Sequence, residues 1–118
     1  MAYRGLVERM CAYNKAISEP TRMKMIKILG SHAPNTLNVS DIAEILGISQ
    51  PACTKHLKIM EDLDIFTRER SGTSVYYNLN EKAIEEYRNL LDFAFEHAHT
   101  KCEYGYDCRH CPHEDTCM

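Results

Sequence analysis

The chain has 118 residues, of which 44% are hydrophobic and 26% charged, and its formal net charge at pH 7 is −3. These values fit one globular domain and exclude a generally basic protein, so any contact with nucleic acid must come from a local surface. No apolar run reaches the roughly 18 residues of a membrane span, and residues 1–9 carry charges where an export signal is apolar. We therefore expect a cytoplasmic protein without membrane contact.

Apolar residues in the first half of the chain recur at helical spacing. This spacing predicts a first helix over about 3–17 and a second helix that is capped by Ser18 and ends before Gly30. A short third helix is expected to begin at Ser40 and to stop at Gly47.

The next stretch carries the strongest local signals. Ser49 is expected to cap a fourth helix of about 50–62, and a short turn with Gly47 joins that helix to the third one, which describes a helix-turn-helix. β-branched and aromatic residues then predict two strands at about 65–70 and 74–79 that flank a hairpin loop. The fold class is therefore mainly α with a β-hairpin wing, that is, a winged helix-turn-helix.

A last helix is predicted over about 81–99, with Asn80 as its cap. Its apolar face consists of Ile84, Tyr87, Leu91, Ala94, Phe95 and Ala98. The first and last helices either complete the core of one subunit or pack against a second copy of the chain. We expect a homodimer that uses these two helices, because a lone helix-turn-helix reads too few bases.

Four motifs follow one another along the chain: SEPTR at 18–22, VSDIA at 39–43, ISQPACTKHLK at 48–58 and VYYNL at 75–79, within a region of similarity that covers about 15–95. In their residues and order they resemble the ArsR/SmtB family of winged-helix transcriptional repressors. The resemblance implies a homodimer that binds double-stranded operator DNA, with the fourth helix in the major groove and the hairpin tip over the neighbouring backbone or minor groove. It also implies that a metal ion or an oxidation event weakens DNA binding.

The polar face of the fourth helix is the predicted DNA-binding surface. Its amide, hydroxyl and ammonium groups can meet bases and phosphates, and Gln50 and Lys55 are the expected base readers. The other predicted DNA contacts are Ser49, Pro51, Thr54, His56, Lys58, Arg68, Arg70, Ser71 and Thr73. The alternative is an ordinary solvated face, because acidic residues of the same stretch balance its basic ones.

The metal sites that the resemblance implies are incomplete in this sequence. The thiolate site of the third helix falls on Asn38 and Ser40, which supply no thiolate. The site of the last helix includes Ala83 and Ala94, which cannot coordinate a metal. Sensing is therefore expected elsewhere.

Residues 101–118 form a cysteine-rich tail beyond a winged-helix domain of residues 1–100. Cys102, Cys108, Cys111 and Cys117 have the spacing C-x5-C-x2-C-x5-C, and four clustered thiolates can hold Zn²⁺ or a [4Fe-4S] cluster. The last three are spaced similarly to the [4Fe-4S] loop of endonuclease III-type glycosylases. The alternatives are a purely structural zinc site and substitution of a histidine, such as His110, for one cysteine.

The two remaining cysteines are expected to have different environments. Cys53 falls on the apolar stripe of the fourth helix, so packing is the favoured interpretation. The alternative is a ligand site shared by Cys11 and Cys53 of opposite subunits, as in some arsenic-sensing relatives of the family.

The sequence therefore predicts a DNA-binding repressor that responds to metal or redox state. No order of Ser, His and Asp and no phosphate-binding glycine loop indicates an enzyme. The alternative is a small metal- or cluster-binding redox protein that uses its winged helix for protein contacts.

Overall fold

The computed structural model describes residues 5–110 and 112. In chain order its elements are α1 (Leu6–Ile17), α2 (Pro20–Ser31), α3 (Val39–Leu46), α4 (Gln50–Asp62), β1 (Phe66–Ser71), β2 (Ser74–Leu79), α5 (Glu81–Glu96) and a 3-10 turn (Cys108–His110). The strands form an antiparallel hairpin that follows the helix-turn-helix of α3 and α4. The predicted winged helix-turn-helix is confirmed. None of the described helices combines the length and the hydrophobicity that a membrane span requires.

Several predicted helix ends are confirmed. The Ser49 side chain accepts a hydrogen bond from the backbone N–H of Ala52 at 3.2 Å, and Asn80 accepts one from Lys82 at 3.2 Å. Gly47 ends α3 in the left-handed conformation, with φ at 68°. A glycine adopts this conformation without the steric penalty of a Cβ atom.

Two predicted ends of α2 are wrong. The N-cap is Glu19, whose carboxylate accepts the N–H of Arg22 at 3.1 Å, while the Ser18 hydroxyl donates to the carbonyl of Lys15 at 2.8 Å. Gly30 lies inside the helix, which continues to Ser31. A Cβ at Gly30 would lie 3.2 Å from a methyl carbon of Leu79, so the glycine permits a close approach of α2 to β2.

Other boundaries differ by a few residues. Within the described residues α1 begins at Leu6, and α3 begins at Val39 because Asn38 and Asp41 form a reciprocal capping box ahead of the predicted start. The first strand is shifted by one residue, since the N–H of Ile65 donates to the carbonyl of Met60 in the turn after α4. The last helix stops at Glu96 instead of about 99.

The core lies between α2, α3, α4 and the base of the hairpin. Its largest fully buried side chains are Met25, Ile42, Cys53, Leu57, Met60, Ile65 and Phe66. Because Cys53, Leu57 and Met60 recur along one side of α4, burial of that side turns the opposite side of the helix outward.

Only part of the predicted apolar face of the last helix is buried in one subunit. Its buried residues are Ala83, Leu90 and Ala94, whereas Phe95 is 71% exposed. Because α5 contacts α1 within one subunit, the exposed Phe95 leaves part of the predicted apolar face uncovered, which agrees with the expectation that a second copy packs there.

Candidate nucleic-acid interface

The outward face of α4 is polar. Gln50, Pro51, Thr54, Lys55 and Lys58 are all exposed, opposite the buried stripe. The Ser49 cap and Pro51 in the first turn fix the start of this helix, because each satisfies or removes a backbone N–H that lacks a helical partner. The face is thus presented by a helix whose orientation is set by its core contacts.

The turn of the helix-turn-helix is closed by short-range hydrogen bonds. The N–H of Gly47 donates to the carbonyl of Glu44 at 3.2 Å, and that of Ile48 donates to Ala43 at 3.1 Å. The amide of Gln50 donates to the hydroxyl of Ser40 at 3.3 Å. One predicted base reader is therefore held against α3 in the free protein.

The hairpin places its cations on one side. Arg68 and Arg70 lie opposite Tyr77 and Val75 in the register, so both arginines occupy the same face of the sheet. The other predicted DNA contacts of the hairpin are exposed at its tip: Arg70, Ser71 and Thr73. These groups can reach a DNA backbone that passes beside α4.

Ion pairs occupy two of the predicted DNA-contacting cations. The guanidinium of Arg68 lies 3.4 Å from the carboxylate of Glu61, and the ammonium of Lys58 lies 4.0 Å from Asp62. Both cations are solvent-exposed, so each pair contributes at most about 1 kcal/mol and DNA phosphates can replace the acidic partner. Within the described residues Lys55 makes no ion pair.

Hydrogen bonds that no sequence motif predicts hold the wing to the loop between α2 and α3. Asn35 and Asn78 exchange two hydrogen bonds of 2.8 Å, one through the Asn35 backbone N–H and one between the side chains. The N–H of Tyr77 also donates to the carbonyl of Leu37 at 2.9 Å. These contacts fix the wing relative to the helix-turn-helix.

His56 is the predicted DNA contact that turns toward the protein. Its side chain is 24% exposed, and its Nδ1 lies 3.1 Å from Nη1 of Arg22 on α2. Nearby, burial opposes the ionisation of Glu19, but hydrogen bonds from Arg22 and Thr21 and the charge of His56 together outweigh it and lower the pKa of that carboxyl. Arg22 belongs to the SEPTR motif but was not a predicted site residue.

The two isolated cysteines lie in different environments. Cys11 is exposed on α1, whereas Cys53 has 0% exposure, and its thiol lies 3.9 Å from the carbonyl of Val39. Burial raises the pKa of the Cys53 thiol. The expected packing role of Cys53 is confirmed, and this burial does not favour a ligand site shared with Cys11.

The tail is only partly described. Cys102 is half-buried, and its sulfur accepts the backbone N–H of Tyr104 at 3.4 Å. Cys108 begins the 3-10 turn, while Cys111 and Cys117 lie outside the described residues. Among the residues that are described, no group of three potential metal ligands comes together.

Comparison with known proteins identifies the family. A model for a helix-turn-helix domain matches residues 17–70. The transcriptional repressor SdpR of Bacillus subtilis (strain 168) is 35% identical over 80 residues, which cover 67% of this chain and 86% of SdpR. The chain belongs to the ArsR/SmtB family of winged helix-turn-helix transcriptional regulators.

Two further relatives of this ArsR/SmtB regulator are informative. The cadmium resistance transcriptional regulatory protein CadC homolog of Staphylococcus aureus is 31% identical over 91 residues, 77% of this chain and 71% of that protein. The homodimeric winged helix-turn-helix DNA-binding domain of a possible ArsR-family regulator from Mycobacterium bovis has a TM-score of 0.61 at 19% identity. The structural match covers 87% of this chain and 98% of that domain, which shows that the two share a fold.

Family membership confirms two predictions made from the sequence. Proteins of the ArsR/SmtB family are DNA-binding transcriptional regulators, and they are not enzymes. The exposed face of α4 and the wing are therefore the parts of this regulator to consider first as its contact with DNA.

Proposed function

We propose that this regulator is a homodimeric repressor that places α4 of each subunit in successive major grooves of a palindromic operator. The observation that carries the proposal is the polar face of α4, which is exposed along its length while the opposite side is locked into the core. Two such helices, separated by about one helical turn of DNA, match the symmetry of an inverted repeat. The repressor SdpR is a relative that supports this role.

The roles of individual residues follow from their chemistry. Gln50 and Lys55 read base edges, since an amide matches adenine and an ammonium matches guanine. The remaining predicted residues of α4 and the wing contact phosphates and fix the register. These phosphate contacts make the affinity salt-dependent even though the net charge of the chain is −3.

In the proposed dimer, each subunit packs against α1 and α5 of the other. Val7 on α1 is 45% exposed and Phe95 on α5 is 71% exposed, although both are large apolar residues. The two helices pack against each other within one subunit, so their exposed apolar residues can contribute to one surface. The homodimeric Mycobacterium bovis neighbour is consistent with burial of this surface in a dimer.

The regulatory centre of this proposal is the tail. Cys102, Cys108, Cys111 and Cys117 would hold Zn²⁺ or a [4Fe-4S] cluster, whose loading or oxidation would shift α5 and the spacing of the two recognition helices. The hydrogen bond from the Tyr104 N–H to the Cys102 sulfur supports this assignment, because it fixes the position of the first of the four sulfur atoms. Left-handed Gly105 and Tyr106 reverse the chain between the first two cysteines.

The DNA-binding proposal is tested with a duplex that the protein selects from a random-sequence pool. We expect an inverted repeat with half-sites about one helical turn apart and protection of both half-sites in footprinting. Lys55→Ala should weaken binding and relax selectivity at one base position. Lys27→Ala, which removes the same charge from an exposed position of α2, should change the affinity little. A wild-type protein that selects no duplex would contradict the proposal and favour a protein-interaction role for the winged helix.

The tail proposal needs separate measurements on anaerobically purified full-length protein. Metal analysis and the visible spectrum distinguish zinc, which is colourless, from a brown iron-sulfur cluster. The affinity for the selected duplex is then compared with the centre intact, removed and oxidised, and we expect a change of about 5–150-fold. Equal affinities would mean that the centre is purely structural. Purified protein that contains no metal would contradict the proposed centre itself.

A further inference from the structure

One guanidinium joins the recognition helix to α1. Nε of Arg22 donates to the carbonyl oxygen of Ala16 at 2.5 Å, and Nη1 of the same side chain lies 3.1 Å from Nδ1 of His56. Ala16 belongs to the last turn of α1, whose carbonyls have no helical partner and favour a nearby cation. Arg22 therefore caps α1 and contacts the middle of α4 at the same time.

This contact also fixes the proton on the ring of His56. A guanidinium carries only donors, so Nδ1 of His56 must accept and the ring proton lies on Nε2. The carboxylate of Glu19 is 3.9 Å from the same Nδ1, which is too far for a competing hydrogen bond. Within the described part of the chain Nε2 has no partner, so its N–H is left available to an acceptor outside the subunit.

We propose that Arg22 is a positioning residue for DNA binding, which acts through His56. It holds α4 at a fixed distance from the end of α1 and presents the Nε2–H of His56 as a donor for a backbone phosphate. This inference rests on the proposed operator binding. It assigns a role to a side chain on α2, outside the helix and the hairpin that contact DNA in that proposal.

The geometry explains why an arginine is needed. The planar guanidinium holds its Nε and Nη1 protons in fixed, divergent directions, which match two acceptors that belong to different helices. A lysine at position 22 has one ammonium on a flexible stem and cannot reproduce that arrangement. The angle of α4 matters because recognition tolerates displacements of only about 0.5 Å in a binding constellation.

The first experiment compares Arg22→Met with Lys24→Met, which removes the same charge from an exposed position of α2. With the pool-selected duplex as probe, we expect Arg22→Met to weaken binding about tenfold and Lys24→Met to change it little. In ¹⁵N-edited spectra the His56 ring should show the Nε2–H form in wild type and a mixture of tautomers in Arg22→Met. A role of Arg22 that is limited to capping α1 would not move this signal. Equal affinities for the two variants at equal stability would overturn the proposal.

A double-mutant cycle tests whether Arg22 acts through His56. His56→Gln keeps a donor near the Nε2 position but loses the acceptor at Nδ1, so Arg22→Met should cause little further loss in that background. Full additivity would overturn the coupling. Should Arg22→Met fail to fold, Arg22→Lys and His56→Gln provide the same comparison. Failure of wild type to bind any duplex would instead contradict the proposed function, whereas a wild type that binds no better than Arg22→Met contradicts only this inference.

Discussion

At the scale of single residues, Glu86 is the main polar link between α1 and α5. Its two carboxylate oxygens accept hydrogen bonds of 3.0 Å from the guanidinium of Arg9 and from the hydroxyl of Tyr13. Burial, together with the Glu86 carboxylate, raises the pKa of Tyr13 to about 12. The stability of this contact therefore depends on a neutral phenol.

We predict an alkaline loss of stability that depends on Tyr13. The phenol ionises near pH 10 in the unfolded chain but only near pH 12 in the folded one, so its stabilising contribution is complete below pH 10 and is lost as the pH rises toward 12. Urea unfolding at about pH 9 and about pH 11 should show a smaller decrease in the free energy of unfolding for Tyr13→Phe than for wild type. Equal decreases would contradict this assignment.

The two isolated cysteines should react at very different rates. Cys11 is exposed, while burial removes the Cys53 thiol from solvent and raises its pKa, which lowers the fraction of reactive thiolate. Brief treatment of native protein with iodoacetamide should modify the Cys11 peptide and leave the Cys53 peptide intact, as measured by mass spectrometry. Both peptides should be modified in urea, and rapid native labelling of Cys53 would show that the helix-turn-helix opens readily.

At the scale of elements, capping residues and apolar spacing predict α4 correctly but do not reveal the contacts between elements. The bounds 50–62 agree with the prediction because the Ser49 cap and the apolar period specify the same helix. The predicted end of α2 is wrong because Gly30 is required by the close approach of Leu79, a neighbour from β2 that helical spacing does not reveal. The link between Arg22 and His56 spans 34 positions, so the sequence indicated the exposed face of α4 but not how that face is held.

The attachment of the wing gives a prediction at this scale. Asn78→Ala removes both hydrogen bonds to Asn35 and should lower the free energy of unfolding by about 1 kcal/mol. Its affinity for the selected duplex should also fall, because the hairpin loses its fixed position beside α4. Asn35→Gly keeps the left-handed backbone, whose φ is 59°, and breaks the side-chain bond.

These two asparagine variants are measured together by urea unfolding and by fluorescence anisotropy with the duplex. Because they disrupt the same pair, the effects of the two substitutions should overlap in the double variant instead of adding. Additive effects, or unchanged affinity in Asn78→Ala, would show that the wing does not need this attachment to bind DNA.

At the scale of the whole molecule, the proposed dimer would use the helices outside the helix-turn-helix to set the spacing of two DNA-reading units. The chain has an overall charge of −3, so affinity cannot come from a general attraction to DNA and must come from two local surfaces acting together. Linking two binding units converts the second binding event into an intramolecular one. In the proposed dimer, the contact between subunits would thus be as important for affinity as the recognition helix.

Phe95→Glu should therefore separate the subunits and weaken DNA binding. The side chain is 71% exposed on α5, so in one subunit a charge is tolerated there, whereas in the proposed dimer it would be buried without a partner. Sedimentation should show a folded monomer, with affinity for the inverted repeat about a hundredfold lower and affinity for a single half-site little changed. Ile45→Glu, at an exposed apolar position of α3, is the matched control and should stay dimeric. A Phe95→Glu protein that remains a dimer would place the contact between subunits on another surface.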